Sequence, residues 1–150
     1  MPNEINWVAA DSYTGANCIQ NEEPTDGNGA VSAEINNSTA ENRWMDLAID
    51  ITHAGSTVTG PLEVFVIYAV DGTNYEWGVT AAVSSTVKPK YESKVADVEV
   101  AESGSQQYAV VRRIPIQPFK LKVVVWNETG NNVSTNSLQV DAYTYNEEVQ

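Results

Sequence analysis

This 150-residue sequence predicts an all-β fold: an antiparallel β-sandwich, jelly-roll-like, with an irregular N-terminal arm. Three observations lead there. WMDLAIDIT (44–52) and FKLKVVVW (119–126) alternate apolar and polar side chains with the period of two that marks a half-buried strand. LEVFVIYAV (62–70) is nearly all apolar, rich in β-branched and aromatic residues and too short to prefer a helix, so it reads as a central strand covered on both faces. No segment of ten or more residues carries an apolar stripe at helical spacing. Seven or eight short strands without intervening helices imply a sandwich. A jelly roll and an immunoglobulin-like sandwich both fit, and the jelly roll is favoured.

Residues 1–29 are rich in Asn, Gly, Asp and Glu, include Pro24 and DGNG (26–29), and sustain no period, so they read as an arm or a set of loops. Ile5, Trp7, Val8 and Tyr13 within the arm are apolar anchors, for the parent domain or for a neighbouring subunit. Residues 30–150 form the sandwich domain. AVSAEI (30–35) alternates, with Val31, Ala33 and Ile35 on one face. In WMDLAIDIT, Met45, Leu47, Ile49 and Ile51 point inward against Asp46, Asp50 and Thr52. The central run breaks at Asp71-Gly72, a strong turn signal. In the DGTNYEWG that follows (71–78), Tyr75 and Trp77 have the same parity and could lie on one face, capping the end of the sandwich or a subunit contact.

KVADVEV (94–100) and QYAVVRRIPI (107–116) read as further strands. Pro115 and Pro118 mark an edge or a corner where the chain changes sheet. Phe119, Leu121, Val123 and Val125 share one face of the next strand, and Leu138, Val140 and Ala142 share one face of SLQVDAYTY (137–145). Between these two strands NETGNNVSTN reads as the connection of a long hairpin.

The formal net charge is −12 and it is unevenly spread. Residues 1–87 hold twelve acids and one base, residues 88–122 four acids and seven bases, and residues 123–150 four acids. Most of such a surface repels nucleic acid and anionic membrane, so neither is expected as a partner, although the basic segment could meet an acidic one. The N-terminus does not read as a secretory signal, and no apolar run approaches the roughly 20 residues that span a bilayer, so a soluble protein made in the cytoplasm is expected.

Catalytic and metal chemistry find little material. His53, the single histidine, ends a strand pattern and reads as a surface residue rather than the base of a triad. The single Cys18 makes no internal disulfide, and no His-x-His or Cys-x-x-Cys pair is present. EEPTDGNG (22–29) is oxygen-rich but lacks the ligand order of an EF-hand loop. Twenty acids leave no particular pair to nominate for glycosidase work. No cofactor, no metal and no enzymatic activity are expected. The Asn-x-Ser/Thr triplets at Asn36, Asn37, Asn127 and Asn132 read as chance in a chain rich in these residues.

Several fragments together resemble a family of small structural proteins of tailed bacteriophages. They are a DGxxY turn after a buried strand (Asp71, Gly72, Tyr75), a proline-containing strand (Pro115, Pro118), a turn beginning N-x-T-G (Asn127, Thr129, Gly130) and a closing tyrosine strand ending in Asn-Glu-Glu (Tyr143, Tyr145, Asn146, Glu147, Glu148). The resemblance covers roughly residues 44–149. It implies a virion component at the capsid surface, a decoration or cement protein bound to the major capsid protein, commonly as a homotrimer, with no catalytic residues to carry over. Ile5, Trp7, Tyr13, Tyr75 and Trp77 are then the candidate capsid or subunit contacts, and deleting residues 1–25 should leave a folded domain that binds capsids poorly. The alternative is a tail- or fibre-associated module that binds a carbohydrate or receptor, with Tyr75, Trp77 and Trp126 stacking on sugar rings.

Overall fold

In the computed structural model the described residues are 5–7, 11–13, 18–52, 57–79, 84–101 and 104–149, with the backbone alone described in 5–7, 11–13 and 147–149. They form thirteen strands: β1 (Ile5–Trp7), β2 (Asp11–Tyr13), β3 (Ile19–Glu22), β4 (Gly29–Val31), β5 (Ile35–Asn36), β6 (Trp44–Ile51), β7 (Leu62–Ala69), β8 (Ser84–Ser85), β9 (Lys94–Val98), β10 (Gln107–Pro115), β11 (Lys120–Asn127), β12 (Leu138–Tyr145) and β13 (Glu147–Val149). Two antiparallel sheets carry the fold. One runs β10-β6-β12, with both β2 and β3 paired to β12, and the other runs β8-β4-β11-β7-β9, with β5 also on β11. A separate pair joins β1 to β13.

Of the eight main strands in chain order, the first sheet contains the first, eighth, third and sixth, and the second sheet the second, seventh, fourth and fifth. That order is a jelly roll. Only β7 and β9 are chain neighbours within one sheet; every other step between main strands crosses the sandwich. The alternation read in WMDLAIDIT holds, since Met45, Leu47, Ile49 and Ile51 are buried and the residues between them are half-buried. The inner core unites these with Leu138, Val140 and Ala142 on one side and Leu62, Val64, Leu121, Val123 and Val125 on the other.

A second apolar cluster explains why β7 and β11 are apolar on both faces. Phe65, Ile67, Val124 and Trp126 point away from the inner core and meet Val31 and Val79 on the far side of the six-stranded sheet. Glu63, Lys120 and Lys122 are the polar residues of these two strands on this outer side.

Three readings change. AVSAEI is not one strand: β4 ends at Val31, in the outer cluster, and β5 starts at Ile35, in the inner core. The cause is Ser32, fully buried, whose N–H donates to the Val123 carbonyl (2.9 Å) and whose Oγ accepts the Val123 N–H (2.9 Å) in place of a main-chain carbonyl. The chain thereby gains freedom to switch face.

NETGNNVSTN is not a hairpin, because β11 and β12 belong to different sheets. The connection instead crosses the end of the sandwich. Thr59 N–H donates to Thr129 O, Glu128 N–H to Pro61 O, Val133 N–H to Pro24 O and Ser134 N–H to Thr52 O, with Val133 buried beneath. Gly130 has a positive φ of 79°, and a Cβ there would collide with the Thr59 hydroxyl. The corner at Pro115 and Pro118 lies where it was read: β10 is an edge strand, and the chain leaves it for the other sheet.

The segment before residue 30 is tied into the sheet rather than hanging from it. β2 and β3 pair with β12, and Cys18 and Ile19 belong to the inner core. Burial pushes the Cys18 thiol up to about 12, so it stays protonated and packs as a small apolar group. The backbones of Ile5 and Trp7 lie in β1 and that of Tyr13 in β2. Their side chains, with Val8, His53 and residues 80–83, fall outside the described part of the structure. No helix among the described residues is long and apolar enough to cross a membrane.

Candidate functional site

DGTNYEWG builds the lid of the outer cluster. Asp71 Oδ1 accepts the N–H groups of Thr73 (2.9 Å) and Asn74 (2.7 Å), which holds its carboxyl below the usual range, and Gly72 (φ 78°) donates to Ala69 O at 2.9 Å. The chain then passes through a short 3-10 turn, Glu76–Gly78, in which Trp77 has a φ of 62°. This is an uncommon conformation for a bulky residue. Glu76 Oε2 accepts the Tyr68 N–H (3.2 Å) and the Ser93 hydroxyl (3.4 Å), and Trp77 Nε1 donates to Ser93 Oγ at 2.9 Å.

Both rings of the loop are brought together, half-buried, against Phe65, Ile67, Val79 and Val124. They cover the outer face of a sheet, not the end of the sandwich. Each is also occupied on its polar side. Tyr75 O–H donates to Glu34 Oε2 (2.8 Å), and Lys122 Nζ stands 4.6 Å from the ring centroid. Lys90 Nζ stands 4.6 Å from the Trp77 centroid. Trp126 is 4% exposed, donates through Nε1 to Glu128 Oε1 (2.9 Å) and lies under Lys88 at 5.8 Å. The three rings expected to stack on sugar are thus engaged within the chain.

All five lysines gather on this outer side. Lys88 bridges Glu63 and Glu128, Lys94 bridges Glu63 (2.9 Å) and Asp97 (2.5 Å), and Lys120 pairs with Glu34 (2.9 Å). The Lys120 hydrogen bond, with Tyr75 adding to it, holds the Glu34 carboxyl below its ordinary 4.5. Burial would raise Glu63, but Lys88 and Lys94 outweigh it and the carboxyl is likewise lowered. Burial lowers the Lys122 ammonium beneath Tyr75 and raises the Tyr75 hydroxyl, with Glu34 adding to the rise.

A depressed carboxyl stabilises the fold above its unfolded value and loses that contribution as pH falls through its folded value. Glu22, raised by burial and by Glu23, acts in the opposite sense. With three depressed carboxyls, Asp71, Glu34 and Glu63, against one raised, the melting temperature should fall as pH drops below about 4.5. Melts followed by circular dichroism at pH 7, 5, 4 and 3 check this, and glutamine at both Glu34 and Glu63 should flatten the profile.

Beside the lid, the loop over residues 86–93 carries Val87 (45% exposed) and Tyr91 (81% exposed) next to Lys88 and Lys90. It is fastened at its base by Ser85 Oγ, which accepts the Val87 N–H and donates to the Val87 carbonyl, both at 3.0 Å. The result is a basic and aromatic patch on an acidic molecule.

The outer face of β10-β6-β12 has a different character. Tyr108, Asp50 and Gln139 stand opposite one another across the three strands, and Val110, Ala48 and Asp141 form the next row. Such rows share one face of a sheet. Tyr108 is 74% and Val110 55% exposed. Ala48, with only a methyl group between taller neighbours, floors a trough of about 210 Å³. Asp50 Oδ2 accepts the Gln106 amide at 2.6 Å, whereas its Oδ1 is sealed from solvent with no hydrogen-bond partner among the described residues. Past the second row a bulge at Arg112–Arg113 closes the face. There Arg113 (φ 54°) donates its N–H to Asp46 Oδ1 (2.7 Å), Tyr145 O–H donates to the same oxygen (3.0 Å), and the guanidinium lies 5.3 Å from the Trp44 centroid. Sequence reading missed Tyr108. The available signal was that QYAVV is apolar at both parities, so one apolar set had to face outward.

Remaining candidates are structural. Asp26 in the acidic loop accepts the Gly130 N–H at 2.9 Å and pins the crossover. Among the described residues no group of three or more His, Cys, Asp or Glu side chains is gathered as a metal ion requires. Asn37 and Asn127 are buried and spend their amides on neighbouring backbone, while Asn36 is exposed and holds Ser38.

No family model matches the chain. No curated protein matches it either. Among solved structures it is similar to TmCBM61 in complex with β-1,4-galactotriose, at 10% identity and a TM-score of 0.29 over 99% of this chain and 88% of that one. That similarity is weak.

Proposed function

We propose that this protein is a non-catalytic virion component of a tailed bacteriophage, a decoration or cement protein that binds the outer surface of the major capsid shell as a homo-oligomer, with a trimer favoured. The observation that carries this reading is the position of the residues behind the sequence resemblance. Asp71 and Gly72 form the turn after β7, Tyr75 lids the outer cluster, Pro115 ends β10, Asn127 and Thr129 are buried in the crossover, and Tyr145 anchors the Arg113 bulge. These are frame residues. A likeness made of frame residues fits a structural protein, whose product is its shape.

The patch of Val87, Lys88, Lys90 and Tyr91 is the contact this reading uses. It joins the exposed Val87 and Tyr91 to the Lys90 ammonium over Trp77, Lys88 being spent on Glu63 and Glu128, and so offers a mainly apolar and aromatic contact on a molecule whose net charge of −12 keeps it self-avoiding elsewhere. A cement protein binds the assembled shell in preference to its parts and so stabilises the shell by mass action. Mass spectrometry of virions should find the protein in fixed stoichiometry with the major capsid protein. Pelleting with purified capsids should show binding that Tyr91→Ala with Lys90→Glu weakens by about tenfold or more. Absence from particles sinks the proposal. A tail or fibre position is the neighbouring reading, and it is favoured by the free face of the five-stranded sheet.

A further inference from the structure

We infer that the trough on the outer face of β10-β6-β12 is a binding site for a neutral or amino saccharide, at a place distinct from the Tyr91 patch. A sugar ring presents an apolar face of C–H groups and a rim of hydroxyls, each both donor and acceptor. A site that takes one therefore needs an apolar wall, small relief for the ring and a few polar groups beside it.

The trough supplies these from three strands. Tyr108 and Val110 make one wall, Gln139 and Asp141 the other, Ala48 the floor, and Asp50 stands in the row between Tyr108 and Gln139. Tyr108 is mostly exposed on a sheet whose other side is fully packed, so its ring does nothing for the core. Asp50 contributes its carboxylate to the row, with Oδ2 accepting the exposed Gln106 amide at 2.6 Å, a bond that a ligand hydroxyl can replace. Gln139 contributes an amide with both polarities, its long 3.4 Å bond to Asn21 being easily exchanged.

Charge selects among ligands. Asp50 and Asp141 line the trough on a molecule of net charge −12, with Arg112 and Arg113 in the bulge beyond its second row, so within the trough itself sulfated, sialylated or uronic groups are repelled, while neutral hydroxyls and ammonium groups are accepted. The ring wall stands on rigid strands, so the site exists before the ligand arrives.

The experiment is isothermal titration of the full chain with neutral hexose oligomers, N-acetylhexosamine and hexosamine oligomers, and polygalacturonate as the anionic arm. Saturable binding to a neutral or amino oligomer is expected, weakened at least about tenfold by Tyr108→Ala and by Gln139→Ala, with thermal melts unchanged and with Tyr91→Ala binding normally. The inference is overturned if none of the neutral or amino oligomers binds at millimolar concentration, if Tyr108→Ala binds them as well as the parent, or if polygalacturonate is the preferred ligand. Loss of capsid pelleting in Tyr108→Ala without any sugar binding also overturns it, assigning the face to a protein contact. Virion stoichiometry is read separately, so failure here leaves the capsid proposal standing, and failure there leaves this one.

Discussion

A chain lacking residues 1–25 is expected to lose cooperative folding, not merely capsid binding. The cut removes β3 together with Cys18 and Ile19, both members of the inner core, and takes β2 from the edge of β12. Ile19 is 2% exposed, and truncating a buried side chain of that size costs about 2–5 kcal/mol. The same cut unpairs one edge of β12, uncovers Leu138 and Val140, and deletes Pro24, whose carbonyl receives the Val133 N–H and the Asn127 amide. Against a total of about 5–15 kcal/mol for a domain, these losses leave little. Ile19→Ala alone should lower the melting temperature by about 5–20 °C. Circular dichroism melts of both variants decide it. A truncated chain that still melts cooperatively within a few degrees of the parent would show that the first strands are dispensable. The earlier expectation of a folded, poorly binding fragment rested on reading Asn- and Gly-rich sequence as a free arm, whereas two short strands suffice to bury Ile19.

Asn127→Ala should be nearly as damaging from a single side chain. Its amide nitrogen donates to Pro24 O (3.0 Å) and Asn131 O (2.7 Å), and its Oδ1 accepts the Thr129 N–H (3.0 Å) and hydroxyl (2.7 Å), with Asn127 and Thr129 fully buried. Alanine leaves four polar groups without that partner. Buried groups left unpaired cost about 1–3 kcal/mol each, partly recovered by relaxation, so a loss of about 3–5 kcal/mol is expected in urea denaturation. Asn127→Asp restores Oδ1 but turns its second oxygen toward two carbonyls, and it should rescue little. The neighbouring Glu128→Ala removes a largely exposed ion pair to Lys88 and the acceptor of one indole N–H, that of Trp126, and should cost about 1–2 kcal/mol. If the two alanine variants destabilise equally, the buried network is not what holds the crossover.

Much of the frame was legible because a strand's period is a local property. Met45, Leu47, Ile49 and Ile51 announce an inward face without reference to anything else in the chain, and the two-sided burial of β7 is visible in LEVFVIYAV, whereas β11, read as half-buried from the alternation of FKLKVVVW, is buried on both faces because Val124 and Trp126 join the outer cluster. What stayed hidden depends on partners far away in sequence. Ser32 breaks a strand because Val123 is beside it, 91 positions on. NETGNNVSTN has the composition of a hairpin turn, and only the pairing of β11 with β7 and of β12 with β6 makes it a crossover. The aromatic loop looked like a binding loop because composition does not reveal that Phe65, Ile67 and Val124 need a cover. Conversely the trough was invisible, since Tyr108, Asp50 and Gln139 meet only through the register of three strands.

The strand order also governs how the molecule is made. β3 lies beside β12, β4 beside β11, and β1 beside β13, so the first of these strands to be synthesised are paired by the last of them. Until the final strands emerge, β6 and β7 are long apolar segments whose sheet partners have not been synthesised. Closing loops of that length is slow, and unpaired strands in the interval invite association with other nascent chains. The sandwich is thus expected to close only once β12 is available, and a chain that stops short of β12 leaves β6 without one of its two sheet partners. The acidic, Asn-rich first half keeps such a chain in solution while it waits for its end.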